Sequence, residues 1–290
     1  MFYLIATILL NVVIFAIFKV FPRYKIDALQ AIVTNYCVCV ITGCIFISYV
    51  PFSTGNLHTS WFPWALLMGC SFISIFNLIA YSTRIDGITT TTIANKLSLV
   101  IPVIFSIFLY HEVAGIGKII GIILALPAVY LTTRVKGTDN KVQGILWPII
   151  LFILSGLLDT LVKYVQFHYL SSSADIQAVY TIYCFAVAGS VGIILVSTLL
   201  LLKKIIFRWQ NIVAGICVGI PNYFSIYYLI RMLNSSFLQS SAAIPAVNIG
   251  ILVASSLTAI IFFREKINLL RLTGLILSII AILLITFGDR

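Results

Sequence analysis

The feature that most restricts the fold of this 290-residue chain is a succession of apolar runs, each about 20 residues long and separated by short polar stretches. A helix needs about 20 mainly apolar residues to cross the hydrocarbon core of a bilayer. Only 9% of the residues are charged, whereas soluble domains are about 25% charged. The sequence therefore predicts an all-α polytopic membrane protein.

Ten of these runs are long enough for transmembrane helices. Their apolar character is continuous, without the alternation that a transmembrane β-strand needs to separate lipid from lumen. The first run has no basic segment before it and no cleavage site of small residues after it, so we expect a membrane helix there and not a signal peptide. The predicted helices lie near residues 2–20, 28–50, 61–83, 88–110, 114–134, 144–166, 176–202, 211–233, 237–263 and 268–287.

One phrase of the sequence occurs twice. LQAIVTNYC at 29–37 and IQAVYTIYC at 176–184 are identical at five of nine positions and lie 147 residues apart. The similarity continues along both halves at offsets that drift by a few residues, as insertions in loops would produce. The aligned pairs include Lys19 with Lys163, Tyr81 with Tyr228, Asn95 with Asn248, and Glu112 with Glu265.

We interpret the chain as two five-helix repeats, residues 1–136 and 144–290, joined by a linker at 137–143. A unit with an odd number of helices starts and ends on opposite membrane faces, so the second copy must be inverted. Inverted repeats can open to either face in turn, with a substrate bound near the midplane. This pattern predicts alternating access. The alternative is a duplication that only stabilises the fold.

The end of each half carries a family resemblance. LSLVIPVIFSIFLYHE is followed by GKIIGIILALPAVYL in the first half, and NIGILVASSLTAIIFFRE by RLTGLILSIIAILLI in the second. This pattern resembles the ten-helix, EamA-like branch of the drug/metabolite transporter superfamily over nearly the whole chain. The resemblance implies a transporter of small molecules. It leaves the substrate open, since members carry amino acids, sugars, nucleotide sugars, nucleobases and drugs.

Basic residues predict the orientation. Thirteen Lys and Arg residues follow odd-numbered helices and four follow even-numbered ones. The positive-inside rule places the thirteen in the cytoplasm and both termini on the non-cytoplasmic side, although many members of the family resemble the reverse. We expect a multi-pass protein of the bacterial inner membrane.

Lys96 is the first candidate for substrate binding. It lies about eight residues into the fourth predicted helix, roughly 12 Å along its axis, where an ionisable group is costly and marks a functional site. Asn95 is its neighbour, and the predicted helix contains no acid to offset the ammonium. A bound anionic group, most simply a carboxylate, would supply that partner. The alternative is a structural Lys96 that reaches a headgroup or a helix end.

Asp159 and Lys163 are candidates for ion coupling. They lie four residues apart on the sixth predicted helix, a spacing that favours an ion pair within the helix. A carboxylate in an apolar site can instead carry a coupled proton. The position equivalent to Asp159 in the first half is the apolar Phe15, so the acid belongs to one half alone.

Amide and phenol groups extend the candidate site. The resemblance implies that the third, fourth, eighth and ninth helices line a central cavity, and hydrogen bonds between helices are the alternative role. Glu112 and Glu265 are expected to anchor helical turns, and the Gly117/Gly121 and Gly215/Gly219 spacings to allow close helix packing. The further candidate ligands are Asn77, Tyr81, Asn222, Tyr223, Tyr228 and Asn248.

Secondary-active transport of a small polar metabolite, an amino acid or a related compound, is the function that these features favour. Sugar, nucleobase or drug transport by the same fold is the first alternative, and a channel or non-transport membrane protein is the second. The sequence contains no catalytic triad, metal cluster or P-loop, so we expect no enzyme activity, metal or cofactor. The expected partners of the monomer are its substrate, the bilayer and H⁺ or Na⁺, with no nucleic acid.

Overall fold

The computed structural model describes residues 2–110, 115–133, 143–170, 174–233, 240–265 and 268–288. In these ranges the regular structure is helical, with no strand. A short 3₁₀ helix, Phe21–Tyr24, follows the first α-helix. The α-helices are α1 (Phe2–Val20), α2 (Ala28–Ile47), α3 (Thr54–Leu57), α4 (Phe62–Ile85), α5 (Ile88–Leu97), α6 (Val100–Tyr110), α7 (Ile116–Thr133), α8 (Gln143–His168), α9 (Ala174–Leu201), α10 (Trp209–Leu233), α11 (Ser240–Ile261) and α12 (Leu269–Phe287).

Within the described residues, seven stretches are long and apolar enough to cross a membrane, and three further apolar helices are shorter. Large apolar side chains remain exposed along the helices, such as Ile123 at 62% and Ile194 at 67%. Such side chains suit a hydrocarbon environment and not water. The helices thus fit an all-α polytopic membrane protein. Ten crossings and an inverted repeat remain predictions. The long stretches are Phe2–Tyr24, Ala28–Ile47, Phe62–Ile85, Ile88–Phe105, Asp175–Leu201, Trp209–Leu229 and Leu269–Phe287.

Helix starts agree with the capping residues in the sequence. Asp27 precedes α2, and its carboxylate accepts a hydrogen bond from Gln30 N at 2.9 Å. Asn268 precedes α12, and its side-chain oxygen accepts from Arg271 N at 2.8 Å. Each cap satisfies one of the backbone N–H groups that a first turn leaves without a partner.

The chain forms two compact units that do not coincide with the predicted halves. Unit 1 comprises Met1–Lys19, Leu78–Thr160 and Phe224–Arg290, and unit 2 comprises Val20–Asn77 and Leu161–Tyr223. Each unit therefore draws segments from both halves. The repeat boundary at 137–143 lies outside the described residues in all but its last position, and the division into repeats remains a prediction.

Unit 1 has its core where α5, α7, α11 and α12 pack together. Ile93 and Leu97 of α5 are fully buried, as are Leu252 of α11 and Ile282 of α12. Gly121 lies in the α7–α12 contact, where an added Cβ would be 2.8 Å from Ala281 O. The predicted close packing at the Gly117/Gly121 spacing is thereby confirmed.

Unit 2 has its core between α2 and α9, around the fully buried side chains of Ile32, Tyr36 and Ile182. On another face of α2, Gly219 of α10 lies so close that an added Cβ would be 2.9 Å from Asn35 O. The predicted close packing at Gly215/Gly219 is also confirmed. Small residues stabilise membrane helix pairs because they allow the backbones to approach.

Gly121→Ala should lower the free energy of unfolding by about 1–3 kcal/mol, because the new methyl group meets backbone atoms of α12 that cannot move aside cheaply. Gly55→Ala is the matched control, since an added Cβ there has only Ser53 Oγ nearby, at 3.9 Å. Thermal unfolding of both variants in detergent measures the effect. Equal melting temperatures for the two variants would contradict the close packing of α7 on α12.

Candidate functional site

A break in the helix between α5 and α6 lies inside the apolar stretch Ile88–Phe105. The sequence predicted one helix over 88–110, but α5 ends at Leu97 and α6 begins at Val100. Pro102 gives the physical reason, because proline has no N–H to bond the carbonyl four residues earlier, that of Ser98. The Ser98 carbonyl instead accepts from Ile101 N at 2.9 Å. Broken helices with polar residues at the break form binding sites in many transporters.

Asn95 and Lys96 lie in the last turn of α5, directly before this break. The Asn95 side-chain NH₂ donates a hydrogen bond to Ser155 Oγ of α8 at 3.1 Å. The next residue of α8, Gly156, lies so close to α6 that an added Cβ would be 2.6 Å from Ile101 Cβ. A polar contact and a small residue thus hold the break against α8.

Asp159 lies one helical turn beyond Ser155 on the same face of α8. Its carboxylate and the Lys96 ammonium are near enough to attract each other, and the nearby Ser98 hydroxyl donates to Asn95 O at 2.5 Å. The helix of Lys96 contains no acid, as the sequence indicated, and the carboxylate that lies near Lys96 comes from α8. The side chain of Lys163, the predicted partner of Asp159, lies outside the described residues.

Neither charged group is fully covered by the rest of the protein. Asp159 is exposed and Lys96 is half-buried, although the surrounding protein removes much of the water near both. Charged side chains deep in apolar helices face other polar groups or a water-filled recess, because facing lipid would be costly. The helix break, Asn95, Lys96 and Asp159 therefore form a polar cluster in unit 1, which we call the Lys96 site.

The other candidates of unit 1 have separate surroundings. The Tyr81 ring packs edge-on against Trp147 with 4.9 Å between centroids. Tyr228 belongs to an aromatic cluster, stacked on Tyr3 at 5.9 Å. Asn248 is half-buried on α11, a helix that packs against α5. Contacts between described residues do not join these three side chains to Lys96, so their roles as ligands remain predictions.

The candidates of unit 2 take part in hydrogen bonds or ring contacts. The Asn77 side-chain NH₂ donates to Ile73 O of its own helix at 2.8 Å. Asn222 donates to Asn35 Oδ1 of α2 at 3.1 Å and is buried. The Tyr223 ring lies 6.0 Å from that of Phe46. Asn222 thus joins α10 to α2, as the alternative of hydrogen bonding between helices predicted.

A second charged group in unit 1 lies at the corner between α4 and α5. Lys19 Nζ is 3.0 Å from Glu265 Oε1 and donates to Thr83 O at 3.3 Å. Glu265 Oε1 also accepts from Ile88 N, the first residue of α5, at 3.0 Å. The prediction that Glu265 anchors a helical turn is confirmed, whereas Glu112 lies outside the described residues.

Asp86 belongs to the same corner, between the two apolar stretches. Its carboxylate accepts a hydrogen bond from Ser82 Oγ at 2.9 Å. Burial raises the pKa of Asp86 to about 6, although the Ser82 hydrogen bond and the positive charges of Arg271 and Lys19 act in the opposite direction. Desolvation of the carboxylate therefore outweighs the attraction of two nearby cations.

Sequence reasoning missed Ser155, Asp86 and the pairing of Lys19 with Glu265. Ser155 could have been found, since it stands four residues before Asp159 and so shares its helical face. Asp86 and the Lys19–Glu265 pair carried no usable signal, because Lys19 and Glu265 are 246 residues apart in the chain. Pairing between distant helices does not follow from spacing along one helix.

Asp86 should make stability depend on pH. The folded protein holds the Asp86 proton more tightly than the unfolded chain, since its pKa is raised from 3.8 to about 6. The contribution of this bound proton to the free energy of unfolding is fully present below about pH 3.8 and is lost as the pH rises to about 6. Asp86→Asn, which is neutral throughout, should therefore gain melting temperature relative to wild type between pH 4 and pH 7, as measured by thermal unfolding.

Asp175→Asn, at an exposed carboxyl group, is the control and should follow the wild-type pH profile. A difference in melting temperature between Asp86→Asn and wild type that stays constant from pH 4 to pH 7 would contradict the raised pKa of Asp86.

Comparison with known proteins adds one whole-length similarity. No family model matches the chain. An uncharacterized protein of Haemophilus influenzae is 26% identical over 300 aligned residues, which cover 99% of this chain and 98% of the relative. The similarity therefore extends over both units and both predicted repeats.

Proposed function

We propose that this protein is a secondary-active membrane transporter of a small polar metabolite and works by alternating access. The observation that carries the proposal is the Lys96 site: an ammonium and a carboxylate at a broken helix, accessible within otherwise apolar helices. Ionisable groups in such surroundings are expensive and mark pathways for ions or substrates. The resemblance to EamA-like members of the drug/metabolite transporter superfamily supports the same function.

The two predicted halves also favour alternating access. Each compact unit contains segments of both halves, and the unit boundaries fall at similar places in each, after Lys19 and Thr160 and after Asn77 and Tyr223. This correspondence is what two copies of one five-helix pattern would produce. We retain the ten-helix inverted repeat, a bacterial inner-membrane location and non-cytoplasmic termini as parts of the proposal. The bacterial relative is compatible with that location.

The substrate class follows from the charges of the site. We propose that an anionic group of the substrate, most simply a carboxylate, binds Lys96 and competes there with Asp159. The Asn95 side chain, which donates to Ser155 Oγ at 3.1 Å, can hydrogen-bond further polar groups of the substrate. A substrate at Lys96 separates Asp159 from the cation that lies near it in the described part of the chain, and a proton on Asp159 would offset the loss of that charged partner. This sequence of events couples the substrate to H⁺.

Other functions require features that nothing in the sequence supplies. A channel needs a filter-like loop, and an enzyme needs a catalytic constellation, which the sequence does not suggest. Sugar, nucleobase or drug transport would use the same site with hydrogen bonds in place of the anionic contact. These alternatives differ from the proposal in their response to changes at Lys96.

Lys96→Met should abolish most binding of an acidic substrate and spare its uncharged amide analogue. Hydrogen bonds to charged groups contribute about 1.5–3 kcal/mol, so the affinity for the acid should fall at least about tenfold more than that for the amide. A thermal-shift screen of purified protein against paired acids and amides measures the affinity for each, because a bound ligand stabilises the folded state. The exposed Lys204→Met is the matched control. Equal losses for acid and amide in a folded variant would falsify the anionic contact.

Asp159→Asn should abolish uphill accumulation of substrate in proteoliposomes under a proton gradient, without ATP. Exchange of labelled for unlabelled substrate across the membrane should persist, since this exchange needs no net proton movement. Asp175→Asn serves as the control for loss of an acid outside the site. An Asp159→Asn variant that still accumulates substrate with the proton gradient would show that Asp159 is only a static partner of Lys96.

A further inference from the structure

We propose that the Lys19–Glu265 ion pair is a latch. It fixes the N-terminal end of α5 to the ends of α1 and α4, and it must open during each transport cycle. This inference rests on the proposed transport function and concerns a different part of unit 1 from the Lys96 site. The latch joins segments that are far apart in the chain. Lys19 ends α1, Thr83 lies in the last turn of α4, Ile88 begins α5, and Glu265 lies between α11 and α12.

The contacts of Glu265 serve two elements at once. One carboxylate oxygen, Oε1, lies 3.0 Å from the Lys19 ammonium and accepts a hydrogen bond from Ile88 N at 3.0 Å. The carboxylate thus caps the N-terminus of α5, where the helix dipole favours negative charge. Lys19 additionally holds the end of α4 through Thr83 O. The ion pair and its two hydrogen bonds thus connect the ends of α1 and α4 with the start of α5.

The short connection between α4 and α5, next to the latch, has the features of a hinge. Only Asp86 and Gly87 connect α4 to α5, and Gly87 has a φ of 93°, which L side chains rarely adopt. A Cβ on Gly87 would also be 2.8 Å from both carboxylate oxygens of Glu265. The carboxylate therefore lies directly on the hinge backbone, so that the position of Glu265 and the angle between α4 and α5 depend on each other.

The ion pair of the latch can open and close reversibly. Its two side chains retain 23% and 10% of their exposure, so water can replace their contacts when the corner opens. Asp86 and Arg271 lie near the same pair and add one charge of each sign. An ionic contact of this kind can open and close reversibly, whereas separating a close-packed apolar interface loses dispersion contacts along its whole length.

The position of the latch on α5 connects it to the Lys96 site. α5 has ten residues, from Ile88 under the latch to Asn95 and Lys96 before the break. A helix of this length is a rigid rod of about 15 Å. Movement of its first turn is therefore transmitted to Lys96. Glu265 is in this sense a positioning residue for the site, which it does not touch.

The test measures opening of the corner directly and requires no substrate. Thr83→Cys places a thiol at a position that is fully buried beside the latch while keeping the backbone carbonyl that Lys19 contacts. A membrane-impermeant thiol reagent is applied to the full-length protein in detergent, and mass spectrometry follows labelling of each cysteine. Cys39, which is fully buried in unit 2, reports on unfolding of the whole protein.

Lys19→Met and Glu265→Gln should each increase the labelling rate at position 83 by at least about tenfold, by raising the population in which this corner is open. Glu265→Gln keeps an oxygen that can accept from Ile88 N, so its effect isolates the ion pair from the cap. Because both changes remove the same interaction, the double variant should label no faster than the faster single one. Lys204→Met is the matched control for loss of a lysine.

Labelling at position 83 that changes less than twofold in both single variants, with Cys39 still protected, would overturn the latch. Multiplied effects in the double variant would do so too, since they would mean that the two residues act independently. Labelling of Cys39 together with position 83 would also overturn it, because a latch opens one corner and leaves unit 2 folded. Wild-type protein that carries no solute in proteoliposomes would contradict the proposed function instead, and would leave the labelling result unaffected.

Discussion

The hydrocarbon core of a membrane offers no hydrogen bonds, and this constraint accounts for most of the structure. A backbone in lipid must satisfy its own polar groups, so the apolar stretches of this chain are helical. The constraint is most informative where a backbone hydrogen bond of a helix is missing. At the gap between α5 and α6, Pro102 removes a backbone bond, and the Ser98 carbonyl is satisfied by Ile101 N. Polar side chains of α5 and α8 then meet at the same place, because a helix break in lipid requires polar neighbours.

Glycine residues let the helices meet closely enough for these polar contacts to form. Gly156 admits Ile101 against α8, next to the hydrogen bond between Asn95 and Ser155. Gly219 admits α2 against α10, next to the hydrogen bond between Asn222 and Asn35. In both places a backbone approach and an amide hydrogen bond occur together. Apolar side chains gain little by associating with each other inside lipid, so packing of this kind contributes most of the specificity between helices.

The helices could be predicted from the sequence, whereas most partners of the polar groups could not. Apolar runs and caps such as Asp27 act locally, so the helix ends fall within a few residues of their predicted places. Pro102 makes a kink in its helix foreseeable from the sequence, but not the two-residue gap between α5 and α6 within the apolar run. Spacing along one helix predicts a pairing of Asp159 with Lys163, whose side chain lies outside the described residues. The attraction of Asp159 to Lys96 depends on how α8 packs against α5, which no short stretch of sequence encodes.

Lys19 and Lys96 show how one residue type can serve two purposes in the same unit. Lys19 contacts Glu265 at 3.0 Å and Thr83 O at 3.3 Å, which satisfies the ammonium within the protein. Lys96 has no direct ion pair within the described part of the chain and is attracted to Asp159 through space, while both remain accessible. A satisfied ammonium gains little from an added anion, whereas an incompletely satisfied one in apolar surroundings gains much. A solute with an anionic group should therefore bind at Lys96, and Lys19 should act through the positions of the helices that it joins.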